Sequence, residues 1–156
     1  MIQIDIPGFG PVRLSHLVSD FTGTLSVDGD LLPGVKEALN QLSEKLTIHI
    51  LTADTFGRAR EALTGVSCRI LILTGPDQDV QKEEFVKKIG PEKVIALGNG
   101  NNDRRMLKTA KVGIAVMEEE GCAVEAITAA DIQVRSALSA LALLLNPLRF
   151  KATLRF

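Results

Sequence analysis

The chain has 156 residues, a net charge of −1 and neither Trp nor Tyr. The small net charge provides no field that attracts nucleic acid or anionic lipid, and the lack of Trp and Tyr disfavours a base-stacking platform. Cys68 and Cys122 have neither disulfide-framework nor zinc-ligand spacing. We expect two buried, reduced cysteines and a single domain spanning residues 1–156.

The sequence also predicts a soluble, cytoplasmic protein with no membrane partner. Its N-terminal segment lacks the basic and apolar regions of a signal peptide. The longest apolar run, Ala137 to Leu145, is far shorter than the ~20 residues that a membrane-spanning helix requires.

The apolar pattern predicts strands and helices that alternate along most of the chain. Strands are predicted at 2–6, 14–20, 46–51, 68–73, 94–97, 112–116 and near Ile132. Helices are predicted at 32–45, 55–63 with Asp54 as its cap, 79–89, 102–109, 121–129 and 136–145. The tail, 147–156, gives no clear prediction. Five or six successive βα units indicate an α/β fold, a doubly wound, mostly parallel sheet with helices on both faces.

Polar residues follow several of these strands, where a doubly wound sheet binds its ligands. Asp20 follows the strand 14–20, Thr52 and Ala53 follow the next one, and an Asn- and Gly-rich segment, 98–103, follows the strand 94–97. Lys82 lies on the helix that precedes that last strand. One carboxylate, one hydroxyl, one ammonium and an oxygen-rich loop are therefore expected to meet at one rim.

This combination of groups suits phosphoryl transfer. Asp20 is ionised at pH 7 and can attack phosphorus once the phosphate charge is neutralised. Lys82 can supply one positive charge, and Mg²⁺ held by oxygen ligands can supply more. Thr52 and nearby amides can align the phosphate, and Gly23 permits a sharp turn after the strand.

Each residue also has an ordinary structural interpretation. Asp20 can be a turn residue, Lys82 a solvated helix residue and Thr52 part of a helix start. The segment 98–103 can be a surface turn. Their joint order on successive βα units favours the functional interpretation.

Three segments carry a family resemblance. Residues 20–25, Asp-Phe-Thr-Gly-Thr-Leu, resemble the Asp-Lys-Thr-Gly-Thr phosphorylation motif of P-type ATPases. Residues 51–54 and 98–103 are similar to the Thr-Gly-Asp and Gly-Asp-Gly-x-Asn-Asp motifs of the same pumps. The resemblance spans about residues 14–135 and matches the soluble P-type ATPase-like phosphatases of the haloacid-dehalogenase (HAD) superfamily. Because no segment is predicted to span a membrane, we do not expect an ion pump.

The resemblance implies a Rossmann-like HAD core, a Mg²⁺ cofactor and a role for each motif residue. Asp20 is the implied nucleophile, which becomes an aspartyl-phosphate, and Thr52 and Lys82 are its catalytic partners. The implied phosphate-binding residues are Thr22, Gly23, Thr52, Ala53 and Lys82. The implied metal ligands are Asp20, Thr22 through its backbone carbonyl, Asn99 and its acidic neighbour Asp103.

The sequence departs from the family pattern in two places. Thr22 stands where most phosphatases of the superfamily have an Asp as general acid/base. Proton transfer by such a residue typically raises the reaction rate by 10²–10⁴-fold. Asn99 stands where the family usually has a metal-binding Asp. The motif therefore suits formation of the phosphoenzyme better than its hydrolysis.

The spacing of the motifs leaves no room for a cap domain, because helices and strands fill the intervals from Asp20 to Thr52 and from Thr52 to Lys82. We expect a site that is open or covered by another subunit of a homo-oligomer. The substrate is expected to be a phosphorylated small molecule or a phosphoprotein.

Two other functions compete with this interpretation. A dinucleotide-binding module is suggested by Gly98-Asn99-Gly100, although Asp103 occupies the third glycine position. A regulatory domain that accepts phosphate on Asp20 is the second alternative. We expect His16 and His49 to be isolated core or edge residues, and the run 118–120 to be a solvated loop.

Overall fold

The computed structural model describes residues 1–156, which form ten strands and seven helices. The strands are β1 (Ile2–Ile6), β2 (Gly10–Leu14), β3 (His16–Ser19), β4 (Ser26–Val27), β5 (Asp30–Leu31), β6 (Thr47–Thr52), β7 (Arg69–Ile72), β8 (Val94–Gly98), β9 (Val112–Val116) and β10 (Ile132–Val134). The helices are α1 (Val35–Ser43), α2 (Ala59–Ala62), α3 (Gln78–Ile89), α4 (Arg104–Thr109), α5 (Val124–Ala129), α6 (Ala137–Leu145) and α7 (Pro147–Leu154). Single 3₁₀ turns lie at Pro91–Lys93 and Asn101–Asp103.

A six-stranded parallel sheet forms the centre of the molecule, in the order β10-β9-β8-β3-β6-β7. The chain builds outward from β3 through β6 to β7, then returns to β8 on the other side of β3 and continues to β9 and β10. The strand order therefore reverses between β3 and β8, and their carboxyl ends flank the crevice where such sheets bind ligands. The predicted doubly wound, mostly parallel fold is confirmed.

Helices cover both faces of this sheet because successive strand residues point to opposite sides. Leu17 of β3 belongs to a core of 27 buried residues that includes the apolar stripes of α1 and α6. The next residue, Val18, belongs to a second core of 10 buried residues with Val86 of α3 and Met106 of α4.

The N-terminal segment differs from the prediction of one strand over 14–20. β2 ends at Leu14 and pairs antiparallel with β1, whereas β3 begins at His16 and joins the parallel sheet. Between them, the Ser15 N–H donates to the Lys93 carbonyl, at 2.9 Å. The tail, where the apolar pattern predicts no clear element, forms α7. Its buried Phe150 belongs to the same core as Ile2 and Ile6 of the hairpin β1–β2.

α1, α2 and α5 begin three or more residues later than predicted, at Val35, Ala59 and Val124. At α2 and α5, tertiary or capping hydrogen bonds hold the residues at the helix start. Asp54 does act as a cap, but its Oδ1 accepts from the N–H groups of Arg58 and Ala59, at 2.9 and 3.0 Å, so α2 starts at Ala59. The Ala123 N–H donates to the Asn99 carbonyl at 2.7 Å, and α5 starts at the next residue.

The histidines are paired and not isolated. His16 Nδ1 lies 3.2 Å from His49 Nε2 on the neighbouring strand, and the His49 ring packs edge-on against Phe85. Burial, with the nearby His16 and Arg69, lowers the pKa of His49 to about 4. His16 and His49 are therefore uncharged at pH 7 and pack against each other on neighbouring strands of the sheet.

No single helix is long and apolar enough to cross a membrane; α6 and α7 meet those requirements only as a pair, bent by 104°. The predicted burial of the cysteines is partly wrong, since Cys68 and Cys122 are both half-buried free thiols.

Gly113 of β9 packs so closely against α4 that a residue with a Cβ does not fit there. A Cβ there would lie 2.3 Å from the backbone carbonyl oxygen of Leu107, at the end of α4. We expect Gly113→Ala to lower the free energy of unfolding by about 1–3 kcal/mol, because backbone must shift to admit the methyl group. Urea denaturation measures the change.

Gly57→Ala is the contrasting variant, since Gly57 has φ +67° but open space around its Cα, whereas Gly113 lies outside the left-handed region. The cost of Gly57→Ala is left-handed backbone strain without a clash, about 1–2 kcal/mol. A Gly113→Ala protein that unfolds at the wild-type urea concentration would contradict the close-packing argument.

Candidate active site

A cavity of about 180 Å³ opens at the carboxyl ends of β3, β6 and β8. Its walls are polar and consist of Asp20, Thr22, Thr52, Ala53, Thr55, Asn99, Gly100 and Asn102. A larger cavity of about 510 Å³ lies by the amino ends of β6 and β7, but none of the predicted site residues reaches it. The smaller cavity is therefore the candidate active site.

Asp20 is held at the end of β3 by both its backbone and its side chain. Its N–H donates to the Leu97 carbonyl of β8 at 3.0 Å. The carboxylate is 6% exposed, with Oδ1 placed 2.8 Å from Lys82 Nζ and Oδ2 placed 3.5 Å from Thr24 Oγ1. One oxygen is thus strongly bonded, and the other has only a weak contact within the protein.

Lys82 joins two carboxylates in a fully buried cluster. Its Nζ donates to Asp20 Oδ1 at 2.8 Å and to Asp103 Oδ1 at 2.7 Å. Lys82 does not line the cavity. The structure therefore places Lys82 behind Asp20, and its predicted contact with phosphate stays a prediction.

The cluster has one more negative than positive charge, which determines its titration. Burial raises the pKa of Asp20 to about 6, and the charge of Asp103 adds to this rise while Lys82 opposes it. Burial would lower the pKa of Lys82, but its two carboxylate partners outweigh that effect and raise it above the ordinary value. At pH 7 Asp20 is mainly ionised and Lys82 is charged.

Asp103 lies behind Asp20 in the same cluster, and its predicted role as a metal ligand stays a prediction. Its Oδ1 binds Lys82, and its Oδ2 accepts from the N–H groups of Asn99 and Gly100, both at 2.9 Å. The residue is fully buried and is not part of the cavity wall. It orients Lys82 and the loop after β8, whose amides are then unavailable to cradle a pyrophosphate, as a dinucleotide site would require.

Asn99 connects three loops around the cavity. Its Oδ1 accepts from Thr24 Oγ1 at 3.1 Å, and its Nδ2 donates to the Gly121 carbonyl at 3.1 Å. These two bonds orient the amide so that its oxygen lies on the side of Thr24 and Asp20.

Gly23 makes room for Asn99, and its predicted phosphate contact stays a prediction. A Cβ on Gly23 would lie 2.5 Å from Asn99 Nδ2, and its φ of +77° is one that glycine adopts freely. Its N–H donates to the Ser26 carbonyl at 3.0 Å.

Two hydroxyl groups in the cavity wall are able to donate to a ligand. Thr52 Oγ1 accepts from the Asp54 N–H at 2.9 Å, which leaves its O–H proton free. Thr22 Oγ1 is the one buried side-chain polar atom in the chain without a hydrogen-bond partner. An unsatisfied buried hydroxyl next to a cavity is the expected partner of a bound polar group.

The oxygen groups around Asp20 fit a magnesium ion. Asp20 Oδ2 and Asn99 Oδ1 both lie near the same Thr24 hydroxyl, at 3.5 and 3.1 Å, and the backbone carbonyl of Thr22 is part of the same turn. Mg²⁺ prefers one or two carboxylates supplemented by other oxygens, water and substrate phosphate.

Sequence reasoning missed several residues that build the site. Thr24, Thr55 and Asn102 were not selected, although Thr24 and Asn102 lie inside the motif segments. The run 118–120 is also more than a solvated loop. Glu118 Oε1 accepts from the Ala137 N–H at the start of α6, at 2.6 Å, and Glu120 Oε2 accepts from the Asp28 N–H at 3.2 Å.

The short hairpin β4–β5 lies between two of these loops. Asp28, at its turn, is bound by Glu120, and Asp30 forms an ion pair with Arg58 at 2.7 Å. The hairpin is small, and no cap domain is present. The site is bordered only by this hairpin and the loops that follow the strands.

Comparison with known proteins agrees with this geometry. A family model described as haloacid dehalogenase-like hydrolase matches residues 78–137. An uncharacterized protein of Methanocaldococcus jannaschii is 48% identical over 73 residues, which cover 47% of this chain and 78% of that protein. Phospholipid-transporting ATPase ID of Homo sapiens is 34% identical over 83 residues, which cover 53% of this chain but only 7% of the transporter.

Solved structures share the fold. The 3-deoxy-D-manno-octulosonate 8-phosphate phosphatase of Moraxella catarrhalis, solved with magnesium, phosphate and its sugar, superimposes with a TM-score of 0.69 at 19% identity, covering 91% of this chain and 94% of that one. The cobalt-bound phosphatase of Haemophilus influenzae gives a TM-score of 0.71 at 12% identity, covering 88% and 90%. These solved structures show the fold that the chain shares, and the family match over residues 78–137 identifies the chain as haloacid dehalogenase-like.

Proposed function

We propose that the protein is a Mg²⁺-dependent phosphatase that acts on phosphate monoesters through an aspartyl-phosphate at Asp20. The proposal rests mainly on the position of Asp20. Its Oδ1 is held by the buried Lys82, and its side chain lines a cavity of hydroxyl and amide groups. The similarity to P-type ATPases over the segment shared with them supports the same chemistry.

In the first step, a carboxylate oxygen of Asp20 attacks the phosphorus atom, and the bond from phosphorus to the leaving oxygen breaks. Oδ2 is the oxygen suited to this attack, since Oδ1 is held by Lys82. The hydroxyls of Thr52 and Thr22 donate to phosphoryl oxygens, which holds the phosphate in line.

Neutralisation of charge is the condition for this attack. The charge of Lys82 is already balanced within its buried cluster, so a second cation is needed. Asp20, Asn99 and the Thr22 carbonyl would hold Mg²⁺, which supplies the positive charge that offsets the phosphate when it is bound.

In the second step, water attacks the aspartyl-phosphate and releases inorganic phosphate. Asp20 is the only titratable residue in the cavity wall, and it is occupied by the phosphoryl group at this stage. No second carboxylate is therefore available to take a proton from the water, and Thr22 cannot do so near pH 7.

This feature favours a second candidate function, a phosphorylation-dependent regulatory domain whose phosphoenzyme breaks down slowly. The two functions share the first step and differ only in the lifetime of the aspartyl-phosphate. Under either one, we propose a phosphorylated small molecule or phosphoprotein as substrate and the cytoplasm as the location.

We predict that Asp20→Asn abolishes turnover, because an amide does not attack phosphorus. Activity with Mg²⁺ and a panel of phosphate monoesters measures this, with the Asp103→Asn variant as a companion that alters the same cluster behind the site. Retention of more than a few per cent of wild-type turnover in pure Asp20→Asn protein contradicts the assignment.

The same variant has a predicted effect on stability. The pKa of Asp20 is raised from 3.8 to about 6, so the native state binds this proton more tightly than the unfolded state. Wild-type stability should fall as pH rises from about 4 to about 6, and the Asp20 contribution to this loss is about 3 kcal/mol.

The amide cannot ionise, so Asp20→Asn is expected to be more stable than wild type at pH 7 without Mg²⁺. Chemical denaturation between pH 4 and pH 8 tests this difference, which should disappear toward pH 4. An unchanged difference across that range would mean that the burial of Asp20 does not govern its ionisation.

We predict that Asn99→Asp increases the apparent affinity for Mg²⁺ by about ten-fold or more, since it adds an anionic oxygen ligand. It should also lower the metal-free stability by about 1–3 kcal/mol, because the new oxygen replaces the donor to the Gly121 carbonyl. Mg²⁺ titration of activity and thermal unfolding measure the two effects. Asn101→Asp, an equal charge change at an exposed neighbour, is the control and should alter neither quantity.

We predict that Thr22→Asp speeds the breakdown of preformed aspartyl-phosphate by about ten-fold or more, because it supplies a base for the attacking water. Acid-quenched time courses with a labelled phosphodonor measure this rate directly. Thr22→Asn, which has the same shape without the base, is the control. Equal rates in the two variants would show that proton transfer does not limit the step.

A further inference from the structure

The outer strand β7 has a free edge. The Leu73 N–H donates to the Thr52 carbonyl of β6 at 2.8 Å, and alternate residues of a parallel strand bond to the same neighbour. Ile70 and Ile72 therefore direct their backbone N–H and C=O groups away from the sheet. At this edge, two backbone N–H groups and two backbone carbonyls therefore have no partner strand.

The edge is apolar from Ile70 to Ile72, and its one charged residue, Arg69, lies at the start of the strand. Its sequence, Arg-Ile-Leu-Ile, contains no Pro or Lys, and Leu71 is 44% exposed. The opposite edge strand, β10, is only three residues long and contains the exposed Gln133. Exposed apolar edges are templates for pairing with another strand.

An apolar groove of about 280 Å³ lies beside this edge, between β7 and α3. Leu51, Leu71, Phe85 and Ile89 form its apolar walls, and Arg69 and Lys88 lie at its rim. Such a groove can receive aliphatic side chains that accompany an added strand.

Charges along this flank are arranged with opposite signs at the two ends. α3 runs back along β7, since Gln81 Nε2 donates to the Thr74 carbonyl just after the strand, at 3.0 Å. Arg69 and Lys88 make one end positive, whereas Asp77, just before α3, is negative at the other end. A two-fold axis through the middle of β7 would bring each positive end against a negative end.

We propose that a second copy of this chain pairs antiparallel with β7 about a two-fold axis at Leu71. Ile70 of each copy then exchanges two backbone hydrogen bonds with Ile72 of the other, which uses every free edge group of both residues. The two Leu71 side chains become directly opposed neighbours beside the groove. The interface joins the two sheets and leaves both active-site cavities open, because those lie at β3, β6 and β8.

Sedimentation velocity over a concentration series tests the assembly. The wild-type chain of 16.8 kDa should sediment at twice this mass. Leu71→Glu should raise the dimer dissociation constant by about 100-fold or more, with phosphatase activity and circular dichroism unchanged. Leu148→Glu, at an 80% exposed leucine of α7, is the control and should remain dimeric.

Cross-linking tests the register. In a Cys68→Ser, Cys122→Ser background, Leu71→Cys should form an intermolecular disulfide, since directly opposed, non-hydrogen-bonded residues are close enough to bridge. Ile72→Cys should not, because its partner across the axis is Ile70. A wild-type monomer at all concentrations, a dimer that tolerates Leu71→Glu, or equal cross-linking of both cysteine variants would overturn the proposal.

Discussion

The site depends on one buried ion cluster, in which Lys82 lies between Asp20 and Asp103. Removing three charged groups from water is expensive, and the cost is offset only by close pairing. Lys82 bonds both carboxylates at under 3 Å, and Asp103 accepts two further backbone bonds. The cluster ties α3, β3 and the loop after β8 together, and it determines which oxygen of Asp20 is free to react.

Around this cluster, rigid contacts replace the domain that would otherwise cover the site. Asn99 joins the turn after β3, through Thr24, to the loop after β9, through Gly121. Glu120 continues this connection to the hairpin β4–β5. The cavity around Asp20 is therefore organised by contacts to the core, whereas short loops form its rim.

The chemistry that we propose on this framework is uneven between its two steps. Burial leaves Asp20 with a pKa of about 6, so it is ionised and weakly solvated at pH 7, as a nucleophile requires. The residue at position 22 has a hydroxyl without a partner, which can donate to phosphate but cannot act as a base. The same environment thus favours formation of the phosphoenzyme and does little for its hydrolysis.

The sequence by itself determined the features that depend on local pattern. The apolar strand 112–116 and the helix near 79–89 follow from periodicity, and the motif residues Asp20, Thr52 and Asn99 follow from their order after successive strands. Tertiary structure decided what depends on distant partners. Asp103 faces Lys82 and not the cavity, His16 meets His49, and β2 leaves the sheet to pair with β1. Hydrogen bonds between segments far apart in the chain set these outcomes, and a local pattern contains no information about them.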